Sequence, residues 1–229
     1  KDVEYLRGLQ KALEGAKRIV IIGGGFIGIE FADEINKLGG KQVTVIEMES
    51  NCLNLAYDPE FCEEMEKLLA SRGIEIRTAT VVKALEGEGA VRAVRLQDGS
   101  AVETDLVILG IGVRPDVGLA REAGLKIGER GGIVVDEYLR CSHPDVYALG
   151  DAIEFPNPLI GRSMTTYLAG PANKQGRIVA DNIVRGDVRR YRGSIATAIA
   201  QVFDLTVAAT GVSEKTLKSA GIPYRSSIT

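Results

Sequence analysis

Apolar positions in the first half of the chain fall in unbroken runs and do not alternate with polar ones. Residues 19–22 and 106–109 are such runs, residues 43–46 depart from one only at Thr44, and all three segments contain β-branched side chains. Short unbroken apolar runs are typical of strands buried on both faces of a parallel sheet. Apolar residues at helical spacing predict helices over 3–15 and 26–38, on either side of the first run. The chain therefore opens as a predicted α/β unit.

The pattern changes between residues 81 and 103, where short apolar segments are separated by tight turns such as Asp98-Gly99. This spacing predicts antiparallel ribbons. Asp58 and Pro59 suit the N-cap and the first residue of a helix. The remaining pattern predicts helices over 59–71, 171–185 and 213–220, strands over 74–76, 133–135, 146–149, 196–199 and 205–209, and a loop over 155–158.

Composition narrows the class of protein. The 229 residues are 45% hydrophobic and carry a net charge of −3, which argues against a nucleic-acid or anionic-membrane function. No run reaches the length of a membrane span, and no signal peptide precedes the first strand. Three Cys and one His are too few for a disulfide framework or a zinc site built on several histidines. We therefore expect a cytoplasmic protein.

The sharpest motif joins the first apolar run to the helix that follows it. Gly23, Gly25 and Gly28 have the spacing GxGxxG, and Glu47 ends the next strand nineteen residues after Gly28. In such a unit the first glycine permits a sharp turn, the second lets the backbone approach a pyrophosphate, and the third lets helix and strand pack closely. The motif predicts a dinucleotide site. A turn that binds nothing, or one that binds another adenosyl ligand such as S-adenosylmethionine, is the alternative.

Glu47 favours NAD over NADP. Its carboxylate is suited to accept hydrogen bonds from a ribose diol, whereas a 2′-phosphate would meet like charge at a cost of roughly 1–4 kcal/mol. No arginine among residues 48–51 reverses this preference.

A second candidate site follows the predicted strand over 146–149. Gly150 and Asp151 come directly after it. A carboxylate in this position suits a polyol hydroxyl, and an aspartate that merely caps a turn is the alternative reading.

Five segments of the chain carry a family resemblance: RIVIIGGGFIGIEFADEINKLGGKQVTVIE (18–47), DGSAVETDLVILGIGVRP (98–115), VYALGDA (146–152), LAGPANKQGRIVADNI (168–183) and FDLTVAATG (203–211). Together they resemble the FAD-dependent pyridine nucleotide-disulfide oxidoreductase family, most closely its NADH oxidase, NADH peroxidase and coenzyme A-disulfide reductase branch.

The resemblance implies an α/β fold made of parts of three domains. A Rossmann-like parallel sheet with an antiparallel β-meander insertion forms an NAD(H)-binding domain over 17–113, preceded by a connecting helix over 1–16. Half of an FAD domain follows over 114–190, and residues 191–229 begin an α+β interface domain. Because half an FAD domain cannot bury its own sheet, we expect the native chain to extend before Lys1.

The resemblance also assigns residues to cofactors. Gly23, Gly25 and Gly28 match the NAD pyrophosphate turn, and Glu47 matches the ribose ligand. The other matched positions are Phe26, Ile27 and Glu30 near nicotinamide and flavin, Gly112 in the NAD cleft, Gly150 and Asp151 at the FAD ribityl chain, and Leu168 and Ala169 near the flavin ring.

The implied function is an enzyme that passes a hydride from NADH, preferred over NADPH, to FAD and on to a disulfide, persulfide, peroxide or oxygen, as a homodimer when full length. The family's first FAD fingerprint and its redox cysteine have no match here, so no catalytic residue is assigned in this chain. Cys52, Cys62 and Cys141 are interpreted as structural thiols. Reduction of a ferredoxin or rubredoxin and a non-catalytic nucleotide-binding module are the alternatives.

Two smaller features of the sequence each allow two interpretations. Arg189, Arg190 and Arg192 form either a solvated basic patch or a contact for a coenzyme A phosphate. His143, which precedes a proline, suits a surface turn better than a catalytic role.

Overall fold

The computed structural model describes residues 2–227. The chain divides into a first unit, residues 1–112 with 199–207, and a second unit, residues 113–198 with 208–229. Within residues 2–227, none of the helices combines the length and apolar character that crossing a membrane requires.

The first unit contains three helices and seven strands before residue 112. The helices are α1 (Val3–Gly15), α2 (Phe26–Lys37) and α3 (Pro59–Ser71), and the strands are β1 (Arg18–Ile22), β2 (Gln42–Ile46), β3 (Glu75–Arg77), β4 (Val82–Glu86), β5 (Ala93–Leu96), β6 (Ala101–Glu103) and β7 (Leu106–Leu109). Strands β3, β2, β1 and β7 form one sheet in that order. All three pairings in it are parallel.

The predicted burial of the central strand is confirmed. Ile19, Val20 and Ile21 of β1 are at most 1% exposed, because strands flank β1 on both edges and side chains cover both of its faces. Strands β4, β5 and β6 form a separate antiparallel sheet. Its Val94 and Leu96 pack in one cluster with Val20 and Ile46 of the parallel sheet. The Rossmann-like sheet with a meander insertion is therefore present as predicted.

Asp105 ties the start of β7 to the start of β1. Its Oδ2 accepts hydrogen bonds from the backbone N–H groups of Lys17 (3.1 Å) and Arg18 (2.9 Å), and its Oδ1 accepts one from the Arg18 guanidinium at 2.8 Å. These hydrogen bonds, that from the Arg18 side chain foremost, hold the pKa of the Asp105 carboxyl well below its usual range.

We therefore expect Asp105→Asn to lower the stability of the fold at neutral pH. A carboxyl with a depressed pKa stabilises the folded state above its unfolded-state pKa of about 4, and that contribution is lost as the pH falls through the folded-state pKa. Urea unfolding of both proteins at several pH values checks this. The difference between them should shrink below pH ~4, and a difference that grew there would contradict the assignment.

The second unit contains several short elements and one long helix. Its elements are α4 (Gly118–Glu122), β8 (Ile133–Val134), β9 (Ile153–Pro156), β10 (Ser163–Met164), α5 (Ala169–Arg185) and, near the end of the chain, α6 (Glu214–Ala220). Between α5 and α6 the chain forms β11 (Ala198–Val202) and β12 (Leu205–Ala209), and residues 199–207 of this hairpin belong to the first unit. Strands β10, β9 and β8 form one sheet, and β11 pairs with β12. Ile153 of β9 and Ile178 of α5 lie in the same apolar cluster.

Two predictions fail in the second unit. Residues 146–149 do not form a strand, because their pairing is limited to one bridge between Tyr147 and Arg140. The strand begins instead at Ile153 and includes Phe155 and Pro156, which the apolar pattern had placed in a loop. Asp151 consequently lies in a short 3₁₀ turn that precedes a strand, rather than just beyond one.

The tip of the β11–β12 hairpin belongs to the first unit and contacts helices α2 and α3. The backbone N–H of Phe203 donates to the buried Asp33 carboxylate at 3.0 Å. The Phe203 ring lies 5.1 Å from the Arg72 guanidinium and 5.8 Å from Lys37 Nζ. These contacts fasten residues 199–207 to the dinucleotide-binding unit, a placement that no local sequence signal predicts.

Candidate functional site

Three glycines bring β1, α2 and β7 into close contact at the carboxyl end of the parallel sheet. A Cβ on Gly28 would lie 1.9 Å from the Gly23 carbonyl oxygen, and one on Gly23 would lie 2.5 Å from the Gly110 carbonyl oxygen. Gly23 also has a φ of +104°, a conformation that other residues rarely adopt. Only glycine fits at these positions. The first and third glycines of the motif are therefore required by the close packing of backbone atoms.

Gly25 differs from these glycines because its missing side chain leaves open space. A Cβ built there would meet no atom within 4 Å. Gly25 is the N-cap of α2, and no described side chain caps the helix. The N–H groups of the first helical turn and the positive end of the helix dipole therefore face a space in which an anion fits. These residues fit the pyrophosphate of a dinucleotide.

The Glu47 carboxylate lies at the edge of this glycine turn. Its Oε2 accepts a hydrogen bond from the Gly24 N–H at 2.6 Å, and its Oε1 accepts one from the Glu49 N–H at 2.8 Å. The side chain is therefore half-buried and fixed beside the turn. A carboxylate offers about four acceptor positions, so acceptor capacity remains for a ribose diol.

The segment after Glu47 packs against the glycine turn. Leu53 donates its N–H to the Gly24 carbonyl at 2.8 Å, and Cys52 donates its N–H to Glu66 of α3 at 2.6 Å. The Cys52 thiol is buried against Gly24, where a Cβ would lie 2.5 Å from its sulfur. Burial raises the pKa of this thiol well above its ordinary value. Cys52 is therefore a protonated thiol that packs against the turn.

Phe26, the first residue of α2, is held by an aromatic contact. Its ring meets Tyr57 edge to face, with centroids 5.9 Å apart and an interplanar angle of 69°. The Tyr57 hydroxyl donates to the Val207 carbonyl at 3.1 Å. Ile27 and Glu30 are exposed on α2, and Gly112 lies beyond β7 with a φ of +91° and open space at its Cβ position. The roles predicted for these residues stay predictions.

The predicted flavin ligands lie in the second unit. Gly150 has a φ of +76° and donates its N–H to Gln175 Oε1 at 2.7 Å. The Asp151 side chain is exposed and forms no hydrogen bond or ion pair among the described residues, so a capping role is not observed. Leu168 is the N-cap of α5 and Ala169 its first residue, again without a side-chain cap. An acceptor for polyol hydroxyls and a free helix N-terminus are thus both available for FAD.

Two of the three arginines in this patch have partners on the protein itself. Arg189 forms an ion pair with Asp181 at 2.8 Å, and Arg190 lies over the Tyr138 ring, 5.5 Å from its centroid. These contacts favour a solvated surface over a coenzyme A site. His143 is exposed in a turn, where its Nδ1 accepts a hydrogen bond from the Asp145 N–H at 3.3 Å. In the described part of the chain, no three His, Cys, Asp or Glu side chains lie together as metal ligands.

Sequence reasoning missed three residues that shape these sites. Gly110 lies against Gly28, where a Cβ would come within 3.2 Å of the Gly28 backbone, and its position at a strand end was the available signal. Tyr57 contacts Phe26, 31 residues away in sequence. Gln175 contacts Gly150, 25 residues away. No local pattern marks such contacts.

The fold and the glycine turn define an α/β protein of the dinucleotide-binding class. The profile of the pyridine nucleotide-disulphide oxidoreductase family matches residues 1–201. The chain therefore belongs to that family, whose members are enzymes that use FAD and NAD(P)H. The family resemblance and the fold class predicted from the sequence are both confirmed.

Curated relatives and solved structures agree with this placement. The chain is 33% identical over 207 residues to the NAD(P)H sulfur oxidoreductase (CoA-dependent) of Pyrococcus abyssi, covering 90% of this chain and 46% of that protein. It is 32% identical over 214 residues to the NADH oxidase of Methanocaldococcus jannaschii, covering 93% and 47%. The chain thus spans about half the length of the curated relatives it matches.

Two solved structures show the same fold over nearly the whole chain. Reduced CoADR-RHD of Bacillus anthracis superposes with a TM-score of 0.92 at 38% identity, covering 98% of this chain and 40% of that one. The water-forming NADH oxidase of Lactobacillus brevis, bound to NADH, gives a TM-score of 0.90 at 27% identity, covering 97% and 48%.

Proposed function

We propose that this chain is part of a flavoprotein oxidoreductase that uses NADH, in preference to NADPH, to reduce a small-molecule acceptor through FAD. The observation that carries the proposal is the open space at Gly25, bounded by the uncapped N-terminus of α2 and by Glu47. FAD, when bound, would supply the redox chemistry that connects the nicotinamide to the acceptor. The residues of this chain bind and orient the two cofactors.

The proposed binding residues form two groups. Gly23, Gly25 and Gly28 hold the pyrophosphate of NADH, Glu47 holds its ribose, and Phe26, Ile27, Glu30 and Gly112 line the path toward the nicotinamide. Gly150, Asp151, Leu168 and Ala169 contact FAD. The corresponding domains are a connecting helix over 1–16, an NAD(H) domain over 17–113, half an FAD domain over 114–190 and the start of an interface domain over 191–229.

The covalent redox step is proposed to lie outside these residues. A thiolate is the reactive form of cysteine, and burial raises the pKa of both the Cys52 and the Cys141 thiols. Cys62 is buried as well. Among the described residues none of the three cysteines forms a disulfide, which supports a reducing, cytoplasmic location.

The proposed acceptor is a disulfide, persulfide, peroxide or oxygen, and the full-length protein is proposed to be a homodimer that binds neither nucleic acid nor membranes. The names of the Pyrococcus abyssi and Methanocaldococcus jannaschii relatives support this acceptor class. Two curated reductases of ferredoxin or rubredoxin match 75% and 62% of the chain, less than the 90% and 93% matched by the sulfur oxidoreductase and the NADH oxidase, so reduction of a protein carrier is not favoured. A non-catalytic nucleotide-binding module is not favoured either, since the family consists of enzymes.

The test uses the protein expressed from its native reading frame. Under anaerobic conditions NADH should bleach the flavin absorption band, and each acceptor class, added singly, should restore it if that class is used. Removing FAD should abolish NADH oxidation, while the 229-residue chain alone should bind NADH without turnover. NADH oxidation that persists without flavin, or a flavin that NADH does not reduce, would contradict the proposal.

A further inference from the structure

Gln175 of α5 connects the two elements of the second unit that carry the proposed FAD ligands. Its side chain is buried, and its Oε1 accepts the Gly150 N–H at 2.7 Å. Gly150 directly precedes Asp151, and α5 begins at Ala169 with Leu168 as its N-cap. A single hydrogen bond therefore links the turn that bears Asp151 to the helix whose N-terminus is the other candidate flavin contact.

Several features make this hydrogen bond important for the shape of the turn. Gly150 has a φ of +76°, which glycine adopts without strain, so the backbone of this flexible residue does not by itself fix the path of the turn. A partly buried N–H without an acceptor is costly, and Gln175 supplies that acceptor. The neighbouring Asp151 side chain forms no hydrogen bond or ion pair among the described residues, so its direction depends on the backbone that carries it.

Tyr191 is a neighbour of Gln175. Gln175, Tyr191 and Gly150 line the same small cavity. Burial raises the pKa of the Tyr191 phenol, and a hydrogen bond with the Gln175 side chain partly offsets that rise. The Tyr191 ring is fixed edge to face against Phe155, with centroids 5.0 Å apart and an interplanar angle of 64°. Gln175 therefore has a hydrogen-bonding neighbour whose own position is fixed by an aromatic contact.

We infer that Gln175, supported by Tyr191, is a positioning residue for FAD, which sets the Gly150–Asp151 turn at a fixed distance from the N-terminus of α5. This inference rests on the proposed function, because it assumes that FAD contacts both elements. Gln175 acts through Gly150 and does not itself touch the cofactor.

The first test replaces Gln175 with methionine, which keeps the length of the side chain and removes the acceptor. In the native full-length protein, stripped of flavin and titrated with FAD, we expect the Kd for FAD to rise about tenfold, because the partly buried Gly150 N–H loses its partner. The Kd for NADH, which binds the first unit, should change less than about twofold. A purely structural defect would weaken both affinities together and lower the melting temperature in parallel.

A matched control and a second variant keep the result decisive. Gln97→Met makes the same chemical change at an exposed turn and should leave both affinities unchanged. Tyr191→Phe keeps the ring contact with Phe155 and removes the hydroxyl, and should raise the Kd for FAD about threefold. Because the two residues act in one network, the double variant should not exceed Gln175→Met.

The outcomes separate this inference from the proposed function. A wild-type protein that binds FAD and oxidises NADH, with an unchanged Kd for FAD in Gln175→Met, would overturn the positioning role alone. If that variant does not fold, an unchanged Kd in Tyr191→Phe would overturn it. A wild-type protein that binds no FAD would overturn both.

Discussion

Replacing Gly28 with alanine is expected to destabilise the first unit and to abolish tight NADH binding. The new Cβ would lie 1.9 Å from the Gly23 carbonyl oxygen, a backbone atom that cannot move without shifting β1 against α2. Overpacking of this kind costs about 1–3 kcal/mol of unfolding free energy. Because the displaced turn is the proposed pyrophosphate site, the Kd for NADH should rise at least about tenfold, or ~1.4 kcal/mol.

Gly25→Ala separates binding from stability. Gly25 has a φ of −73°, which alanine adopts freely, and its Cβ would meet no protein atom within 4 Å. We expect the free energy of unfolding to change by less than about 0.5 kcal/mol. The Kd for NADH should nevertheless rise about tenfold, since the methyl group occupies the space proposed for the pyrophosphate.

Gly8→Ala is the matched control for both variants. Gly8 lies in the middle of α1 with open space around it. Alanine there should stabilise the helix by about 0.5–1 kcal/mol and leave NADH binding unchanged. Urea unfolding and fluorescence titration with NADH measure the three variants. Unchanged NADH binding in Gly25→Ala would show that no diphosphate lies over Gly25.

The second large effect is expected at Glu47, in the choice between NADH and NADPH. In the wild-type chain, like charge between this carboxylate and a 2′-phosphate should weaken NADPH binding by roughly 1–4 kcal/mol relative to NADH. Glu47→Gln keeps the shape and removes the charge, and it also loses one of the two backbone hydrogen bonds that the carboxylate accepts, because an amide nitrogen is not an acceptor. We expect NADH to bind about threefold to tenfold more weakly and NADPH more tightly, so that the Kd values converge to within about threefold.

Calorimetric titration with each nucleotide measures this preference. Glu88→Gln, which changes an exposed carboxylate in the turn between β4 and β5, should leave the preference unaltered. A Glu47→Gln protein that still discriminates against NADPH as strongly as the wild type would place the 2′-hydroxyl away from this carboxylate.

The parallel sheet and the glycine turn are predictable from the sequence because local physics determines both. Unbroken β-branched runs such as residues 19–22 need cover on both faces, and β1 is flanked by strands on both edges. The glycine spacing follows from backbone clearance, which the Cβ distances at Gly23 and Gly28 make explicit. These features need no knowledge of distant parts of the chain.

The rest depends on contacts between residues far apart in sequence. Residues 146–149 are apolar, yet their β-pairing is limited to one bridge between Tyr147 and Arg140, so no strand forms. The carboxylate of Asp33 accepts a hydrogen bond from Phe203, 170 residues later, and Tyr57 donates one to Val207, 150 residues later. Propensity and periodicity are local signals and do not report such pairs.

The most direct test of the central claim is a titration of the ¹⁵N-labelled chain with NADH, followed by amide chemical shifts. The account predicts that the largest shifts fall on Gly25, Phe26 and Ile27 and on the residues that flank Glu47, with no comparable change at Gly8 or Gln97. Shifts confined to other parts of the chain, or none at millimolar NADH, would contradict it.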